Sequence, residues 1–249
     1  MIRHLTALLL DHPVVGMFIA SLLACSDVSA REFQNLGFES ANTNNVSPQG
    51  EGLSADLTPG WQWNVGTRGY TANAFMYVNQ SIDMGNGLGW ASLVTVVNPY
   101  DFPVVGKYGV WLAPGYAGSI LPTSVRQSGM IPRGTKSLQF LDYYAYGSGE
   151  PPTVLGEVRI NGSLMPLYNS LISIEPTPGP PGWSTFAFES GVDVSAYAGQ
   201  EVTLEFSISN RGMGLDDIQF SPFAVVPEPA TWALLGLGLA GWLWARARH

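Results

Sequence analysis

Histidine and cysteine are almost missing from this sequence. The histidines are His4, His12 and His249 and the one cysteine is Cys25, so residues 31–222 contain neither residue type. A segment without them cannot form a Ser-His-Asp or Cys-His triad, offers zinc no imidazole or thiolate, and forms no disulfide. It also lacks the usual general base at neutral pH. These absences exclude the commonest nucleophilic hydrolases and zinc enzymes.

Charge is also scarce. Lys, Arg, Asp and Glu make up 12% of the 249 residues, the formal net charge is −8, and the basic residues are scattered except at the two ends. Nucleic acid is therefore not expected as a partner. Glycine (29) and proline (18) together outnumber the 30 charged residues. A chain rich in turn residues and poor in charge is typical of an all-β extracellular protein.

The first 30 residues have the pattern of a secretory signal peptide. Arg3 precedes an apolar stretch over 13–24, and a small-x-small cleavage site follows at Val28-Ser29-Ala30. We expect cleavage after Ala30, which removes Cys25. The alternative is lipidation, because Leu22-Leu23-Ala24-Cys25 resembles a bacterial lipobox.

The C-terminal segment, 223–249, contains an uncharged run over 230–245. As a helix, these sixteen residues span ~24 Å, short of the ~30 Å hydrocarbon core of a bilayer. Pro227 and Pro229 obstruct extension of the helix, and the positive-inside rule keeps Arg246 and Arg248 cytoplasmic. A buried core helix is the alternative, but its glycines would weaken it. We expect a short transmembrane helix with the body outside the cell.

This ending resembles the PEP-CTERM sorting signal of Gram-negative bacteria that produce exopolysaccharide. The residues that carry the resemblance are the triplet Pro227, Glu228 and Pro229, the apolar run, and the basic residues Arg246 and Arg248. The resemblance implies that an exosortase acts near the triplet, after transient anchoring in the inner membrane, and that the protein reaches the cell surface or extracellular matrix. It implies no activity for the body.

The body, residues 31–222, shows strand signals and no sustained helical periodicity. "VTLEFSI" alternates strictly between apolar and polar residues, as in a half-buried antiparallel strand. Asn161-Gly162 predicts a type I′ hairpin turn between two apolar runs. Segments 84–89 and 174–183 are predicted loops, the second because of its prolines. The predicted strands are 36–39, 60–65, 91–97, 108–112, 119–127, 137–144, 154–160, 163–167, 184–189, 202–208 and 215–220.

The body also resembles jelly-roll domains of the galactose-binding and carbohydrate-binding-module type. The resemblance rests on "NLGFES", "SAYAGQEVTLEF" and "LDDIQF", which occur in the family's order, while residues 41–116 have no matching motif. It implies a single antiparallel β-sandwich of jelly-roll type. In calcium-bearing members a Glu after the first Gly-Phe and an Asp near the last strand share a structural Ca²⁺. The matching residues are Glu39 and either Asp216 or Asp217.

The adjacent aspartates also raise a question that depends on the residues alone. If 215–220 is a strand, Asp216 and Asp217 lie on opposite faces, so one carboxylate points inward and needs a counter-charge or a metal. Calcium takes six to eight oxygen ligands, so backbone carbonyls would have to complete its shell. The alternative is a hydrogen-bonded pair of acids at the end of a strand.

A sugar-binding surface needs exposed flat aromatic rings with polar groups nearby. The candidates for stacking on sugars are Trp61, Trp63, Trp111, Tyr144 and Tyr146. Tyr143 is a further candidate, but it falls on the other strand face from Tyr144 and Tyr146, so at most part of this cluster lines any one groove. The alternative for each ring is burial in the sandwich core.

The remaining catalytic option is a carboxylate pair of the glycosidase kind, drawn from acids such as Asp142, Glu150, Glu157 and Glu205. Solvated surface acids are the alternative explanation for these residues. We expect an exported, non-catalytic protein that binds extracellular polysaccharide. A structural matrix protein without a ligand site, and a carboxylate-dependent polysaccharide-degrading enzyme, remain the alternatives.

Overall fold

The computed structural model describes residues 31–46, 50–65, 75–78, 90–95, 104–114, 122–146, 152, 155–176, 184–209, 212–225 and 246. Everything below concerns the compact unit Glu32–His249. Its described residues form thirteen strands in two sheets. In spatial order, the eight-stranded sheet consists of β1 (Glu51–Leu53), β3 (Phe75–Val78), β4 (Trp90–Thr95), β5 (Tyr108–Ala113), β13 (Met213–Ser221), β7 (Ser137–Tyr146), β11 (Ser184–Asp193) and β10 (Tyr168–Pro176).

The second sheet has five strands. In spatial order these are β2 (Gln62–Asn64), β6 (Thr123–Met130), β12 (Glu201–Ile208), β8 (Glu157–Ile160) and β9 (Ser163–Leu164). All pairs in both sheets are antiparallel except β3 with β4. The described helices are one turn of α-helix, α1 (Ser54–Leu57), and 3₁₀ turns at Thr43–Asn45 and Ser195–Tyr197.

The main core lies between the two sheets. Phe206 of β12 packs edge-on against Phe140 of β7, with ring centroids 5.1 Å apart, and also contacts Trp61. Trp63 of β2 is buried as well, and its Nε1 donates to Thr58 Oγ1 at 2.7 Å. The predicted all-β sandwich of jelly-roll type is confirmed in this two-sheet architecture.

Several local predictions are confirmed. In β12 Val202, Leu204, Phe206 and Ile208 are buried, as the alternation requires. Asn161 (φ +51°) and Gly162 (φ +80°) connect β8 to β9 with the positive φ values that a type I′ turn needs.

Other local predictions are wrong. Residues 36–39 form a turn and not a strand, since Asn35 and Phe38 have φ values of +50° and +58°. The predicted loop at 174–183 begins inside strand β10, because its first proline, Pro176, ends a strand at the sheet edge, where a missing N–H is tolerated. Strand β10 was not predicted, and neither were β1 and β3, which lie in the region without family motifs.

Several sequence predictions concern residues outside the described ranges. They are the signal peptide, the loop at 84–89, Glu150, the triplet Pro227-Glu228-Pro229, the apolar run at 230–245 and Arg248. In the part of the chain that the structure describes, no helix has the length and apolar character needed to cross a membrane.

Candidate functional site on the outer face of the large sheet

The eight-stranded sheet carries a second apolar cluster that is separate from the main core. Strand β7 shows the division, since Phe140 and Tyr144 belong to the main core while Tyr143 belongs to the second cluster. Because side chains alternate along a strand, the second cluster lies on the side turned away from the five-stranded sheet. We call this side the outer face; its buried members are Val94, Trp111, Ala113, Tyr143 and Ala187.

A glycine separates the two aromatic rings of the outer face. In β13, Gly214 pairs with Trp111 of β5 on one side and with Tyr143 of β7 on the other. A Cβ atom at Gly214 would lie 2.9 Å from Tyr143 Cδ2 and 3.5 Å from Trp111 Cε3. A Cβ atom at Gly212 would collide with the six-membered ring of Trp111. The two rings therefore lie against a strand that offers them bare backbone.

A carboxylate lies on the same face. Asp216 is 1% exposed, and its Cγ is 3.4 Å from the position that a Cβ at Gly109 of β5 would take. Asp216 Oδ2 accepts the backbone N–H of Val105 at 2.7 Å, and Oδ1 accepts that of Asp217 at 2.7 Å. The described residues contain a single ion pair, Arg159–Glu157, so no described cation is paired with Asp216.

The environment of Asp216 raises its pKa. Burial, reinforced by the charges of Asp217 and Glu39, raises the pKa of Asp216 from 3.8 to about 7, against the lowering effect of its two N–H donors. Burial also raises the pKa of Tyr143, with smaller contributions from Asp216, Asp217 and Asp142. The Tyr143 hydroxyl and the Asp216 carboxylate are thus electrostatically coupled.

The loop that donates to Asp216 is held at its other end by Glu39. Glu39 Oε1 accepts the backbone N–H groups of Lys107 at 2.8 Å and Tyr108 at 3.1 Å. Gly106 has a φ of +82°, and a Cβ there would lie within 2.7 Å of the Glu39 carboxylate carbon. Two carboxylates from opposite ends of the body therefore fasten one short loop, residues 105–108.

The predicted calcium ligands are only partly brought together. Glu39 and Asp216 share the loop, but Asp217 has a φ of +48° at a β-bulge, and its side chain accepts from Gln219 Nε2. The bulge breaks the simple alternation that we assumed: Asp216 is buried on the outer face and not between the sheets, and Asp217 does not share its loop contacts. Among the described residues, no group of three or more Asp, Glu, His or Cys side chains is placed to hold a metal ion. A site with Glu39 and Asp216 would need backbone carbonyls for the rest of its shell.

Most of the predicted sugar-stacking residues occupy the main core, which corrects those predictions. Trp61, Trp63 and Tyr144 are 5%, 3% and 1% exposed and belong to the cluster between the sheets. These rings are buried, so they offer no surface on which a pyranose could stack. Trp111 is 9% exposed and belongs to the outer face. Tyr146 ends β7, and its side chain lies outside the described part of the structure.

The structure adds Gly212 and Gly214, which the sequence analysis did not consider, and it places Tyr143, one of the aromatic candidates, beside Trp111. A signal was present in "GMGLDD", because glycines inside a strand mark a place where another group approaches the backbone closely. Neither glycine stands out by composition in a chain with 29 of them.

The described acids that were considered for catalysis interact with other residues of the fold. Asp142 is fully buried on the core side of β7, where it accepts from Tyr144 Oη and Ser190 Oγ, each at 2.7 Å. Tyr144 Oη in turn accepts the backbone N–H of Gly156. Burial raises the pKa of Asp142 to about 6. Glu157 pairs with Arg159 at 2.8 Å, and Glu205 lies opposite Arg126 and Arg159 in the sheet register.

Comparison with known proteins identifies the C-terminal segment. Residues 225–248 match the PEP-CTERM protein-sorting motif. The match contains all five predicted signal residues, Pro227, Glu228, Pro229, Arg246 and Arg248, and confirms the resemblance inferred from the sequence. The motif indicates an exported protein of Gram-negative bacteria that is sorted by an exosortase.

The body is similar to solved structures at low sequence identity. No curated protein matches the sequence significantly. Among solved structures, one similar chain is TmCBM61, determined in complex with β-1,4-galactotriose; it is 13% identical, with a TM-score of 0.35, and the match covers 77% of this chain and 98% of that one. Another is the enzymatically active domain of bacteriophage CBA120 tailspike protein 4, 12% identical with a TM-score of 0.29; the match covers 71% of this chain but only 21% of that one.

Proposed function

We propose that this protein is a non-catalytic component of the exopolysaccharide matrix that binds glycan on the outer face of its large sheet. The observation that carries the proposal is the arrangement of Trp111 and Tyr143 on either side of Gly214, next to the Asp216 carboxylate. Aromatic rings stack on the apolar faces of pyranoses, and a neighbouring carboxylate accepts hydrogen bonds from sugar hydroxyls. Trp111 is 9% exposed and Tyr143 is 2% exposed, so Trp111 is the ring of this pair that offers surface to a ligand.

A non-catalytic role agrees with the chemistry of the body. Residues 31–222 lack histidine and cysteine, so a carboxylate pair is the remaining route to glycoside hydrolysis. Asp142 lies between the sheets, where no substrate reaches it, and Glu157 is paired with Arg159. Catalysis by these acids would require the sandwich to open or the ion pair to break.

Retention on immobilised polysaccharides tests the proposal. The full chain, in detergent solution, is passed over polysaccharide extracted from the producing cells and over a panel of plant and bacterial glycans that includes β-1,4-galactan. We expect retention of the wild type and of Phe223→Leu, a change at a largely exposed ring, and loss of retention for Trp111→Leu. Leucine keeps the apolar volume and removes the stacking surface.

Two outcomes would overturn the glycan proposal. If the wild type is retained by no polysaccharide, the structural matrix protein without a ligand site is the better account. If soluble sugar is released, and the release is abolished by a single Asp or Glu substitution, the protein is an enzyme.

A structural Ca²⁺ shared by Glu39 and Asp216 remains a proposal. It is supported by the convergence of two carboxylates on the loop 105–108, where Glu39 raises the pKa of Asp216, because a divalent cation would relieve that repulsion. We expect a higher Tm in Ca²⁺ than in chelator for the wild type and no difference for Glu39→Ala. Equal Tm values for the wild type in the two buffers would refute the calcium site.

Surface location and processing follow from the sorting motif and form part of the same proposal. Mass spectrometry of the protein released from cells should find a C-terminus between Pro227 and Ala230. An intact His249 terminus on surface-located protein would contradict exosortase processing.

A further inference from the structure

Strand β10 forms an edge of the large sheet that differs from the other edges of the sandwich. Within the described residues, no strand pairs with its free side. The other edge strands, β1, β2 and β9, have only three, three and two residues, whereas β10 has nine. Proteins usually protect an edge by keeping it short or by placing charges on it, because free N–H and C=O groups recruit another strand.

The side chains of β10 are apolar and exposed on both of its faces. Tyr168, Leu171, Ile172 and Ile174 are 40%, 41%, 53% and 52% exposed. Leu171 pairs with Phe188, whose side chain is on the core side of β11, whereas Tyr168 pairs with Gly191, at a position of the other face, so exposed apolar groups occur on both faces of β10. A register shift against β11 between Leu171 and Ser173 leaves Ile172 in a bulge. Exposed apolar groups and an unpaired backbone thus occur on the same seven residues.

Charge determines which partner suits this edge. The whole chain carries a net charge of −8, yet no charged residue occurs between Arg159 and Glu175. Two copies that approach through β10 therefore meet without opposing like charges, which elsewhere on an acidic protein would repel. An antiparallel pair centred on Leu171 would place Tyr168 opposite Ile174 and Asn169 opposite Ser173, which match in polarity, and would place Ser170 opposite the bulged Ile172, which do not.

We propose that β10 pairs with β10 of a second copy of this chain, in antiparallel orientation about a two-fold axis near Leu171, to form a dimer with a sheet continuous across both copies. A two-fold contact of this kind is self-complementary and closed. It joins two outer faces into one assembly, and it does not depend on whether those faces bind glycan.

Sedimentation of the full chain in detergent solution tests the dimer. We expect the wild type to sediment as a dimer that dissociates on dilution, and Ile172→Lys to be a monomer, because the substitution sets two lysines close together across the axis. Phe223→Lys, which adds the same charge at a residue that is 74% exposed and outside the strands, should remain a dimer. Circular dichroism and the Tm confirm that Ile172→Lys is folded.

Oxidative cross-linking tests the register independently. Directly opposed residues in antiparallel strands have Cβ atoms about 4.5–5.5 Å apart, close enough for a disulfide after a small adjustment. Leu171→Cys should form a disulfide-linked dimer and Phe223→Cys should not; the second variant also controls for Cys25. A wild type that is monomeric at every concentration, as when part of the same chain covers the edge, overturns the proposal, and so does a dimer unaffected by Ile172→Lys.

Discussion

The two faces of the eight-stranded sheet both combine aromatic rings with a buried aspartate, but the surroundings differ. On the core side, Tyr144 packs against Phe188, and Asp142 is held by two side-chain hydroxyls. On the outer face, Trp111 and Tyr143 lie against glycines, and Asp216 is held by backbone N–H groups at the edge of a loop. The two faces thus differ in what lies against their aromatic rings: side chains on the core side and glycine backbone on the outer face.

The core side should show the largest loss of stability. Phe206→Ala removes a ring that is 1% exposed and contacts both Phe140 and Trp61. We expect the free energy of unfolding to fall by about 3–5 kcal/mol, from lost burial and the cavity left behind. Denaturant titration measures this fall, with Phe223→Ala as the exposed control within about 0.5 kcal/mol of the wild type. A fall of less than about 1 kcal/mol would contradict the assignment of Phe206 to the core.

The next largest effect should come from Asp142. Its folded-state pKa, about 6, lies above the ordinary value of 3.8, so the protonated form stabilises the fold. This contribution is complete below pH 3.8 and is lost as the pH rises through 6, amounting to about 3 kcal/mol. We expect the free energy of unfolding of the wild type to fall between pH 4 and pH 8 by this amount more than that of Asp142→Asn, as measured by denaturant titration at the two pH values. If the free energy of unfolding changes with pH in the same way in the wild type and in Asp142→Asn, Asp142 ionises as freely in the folded state as in the unfolded state.

The protonated form of Asp216 should also stabilise the fold. Its pKa is raised to about 7, so its contribution is lost over a window that extends about one pH unit higher than that of Asp142. The exposed Asp193 should act in the opposite direction, because hydrogen bonds from Ser195 lower its pKa. Its stabilising effect is present at neutral pH and is lost as the pH falls through the lowered value.

A substitution at Gly212 tests whether the outer face needs the glycine that lies against Trp111. Gly212→Ala places a methyl group where the Trp111 ring now lies, so the ring must move. Overpacking of this kind costs about 1–3 kcal/mol, and glycan retention should be lost with the ring's position. Gly37→Ala, where the new Cβ would meet only Glu39 Cγ at 3.9 Å, is the matched control. If Gly212→Ala retains glycan like the wild type, the glycines do not define the surface.

The smallest expected effect is at the loop 105–108. Glu39→Gln weakens the hydrogen bonds to Lys107 and Tyr108 by about 1 kcal/mol. It should also lower the pKa of Asp216, because one of the charges that raise it is removed. NMR titration of the Asp216 carboxyl measures the shift, with the exposed Glu189→Gln as control. An unchanged Asp216 pKa would show that the charge of Glu39 does not act on Asp216.

Local pattern was enough to predict much of the fold. The alternation in β12 and the Asn161-Gly162 turn follow from side-chain period and backbone sterics, which operate over a few residues. The site was not predictable in this way. Whether Trp61 or Trp111 faces a ligand depends on which sheet covers it, and the partners Gly214 and Tyr143 are brought to Trp111 by pairing across more than 30 residues of sequence. The bulge at Asp217 likewise depends on pairing with β7.

The most direct test of the outer face as the glycan surface is the NMR signal of its tryptophan. The chain has eight tryptophans, whose indole N–H resonances can be assigned by single substitutions to phenylalanine. On titration with an oligosaccharide of a retained polysaccharide, we expect the Trp111 resonance to shift in a saturable way, while those of Trp61 and Trp63 stay in place. Saturable binding that leaves Trp111 unmoved would contradict the account and place the glycan elsewhere.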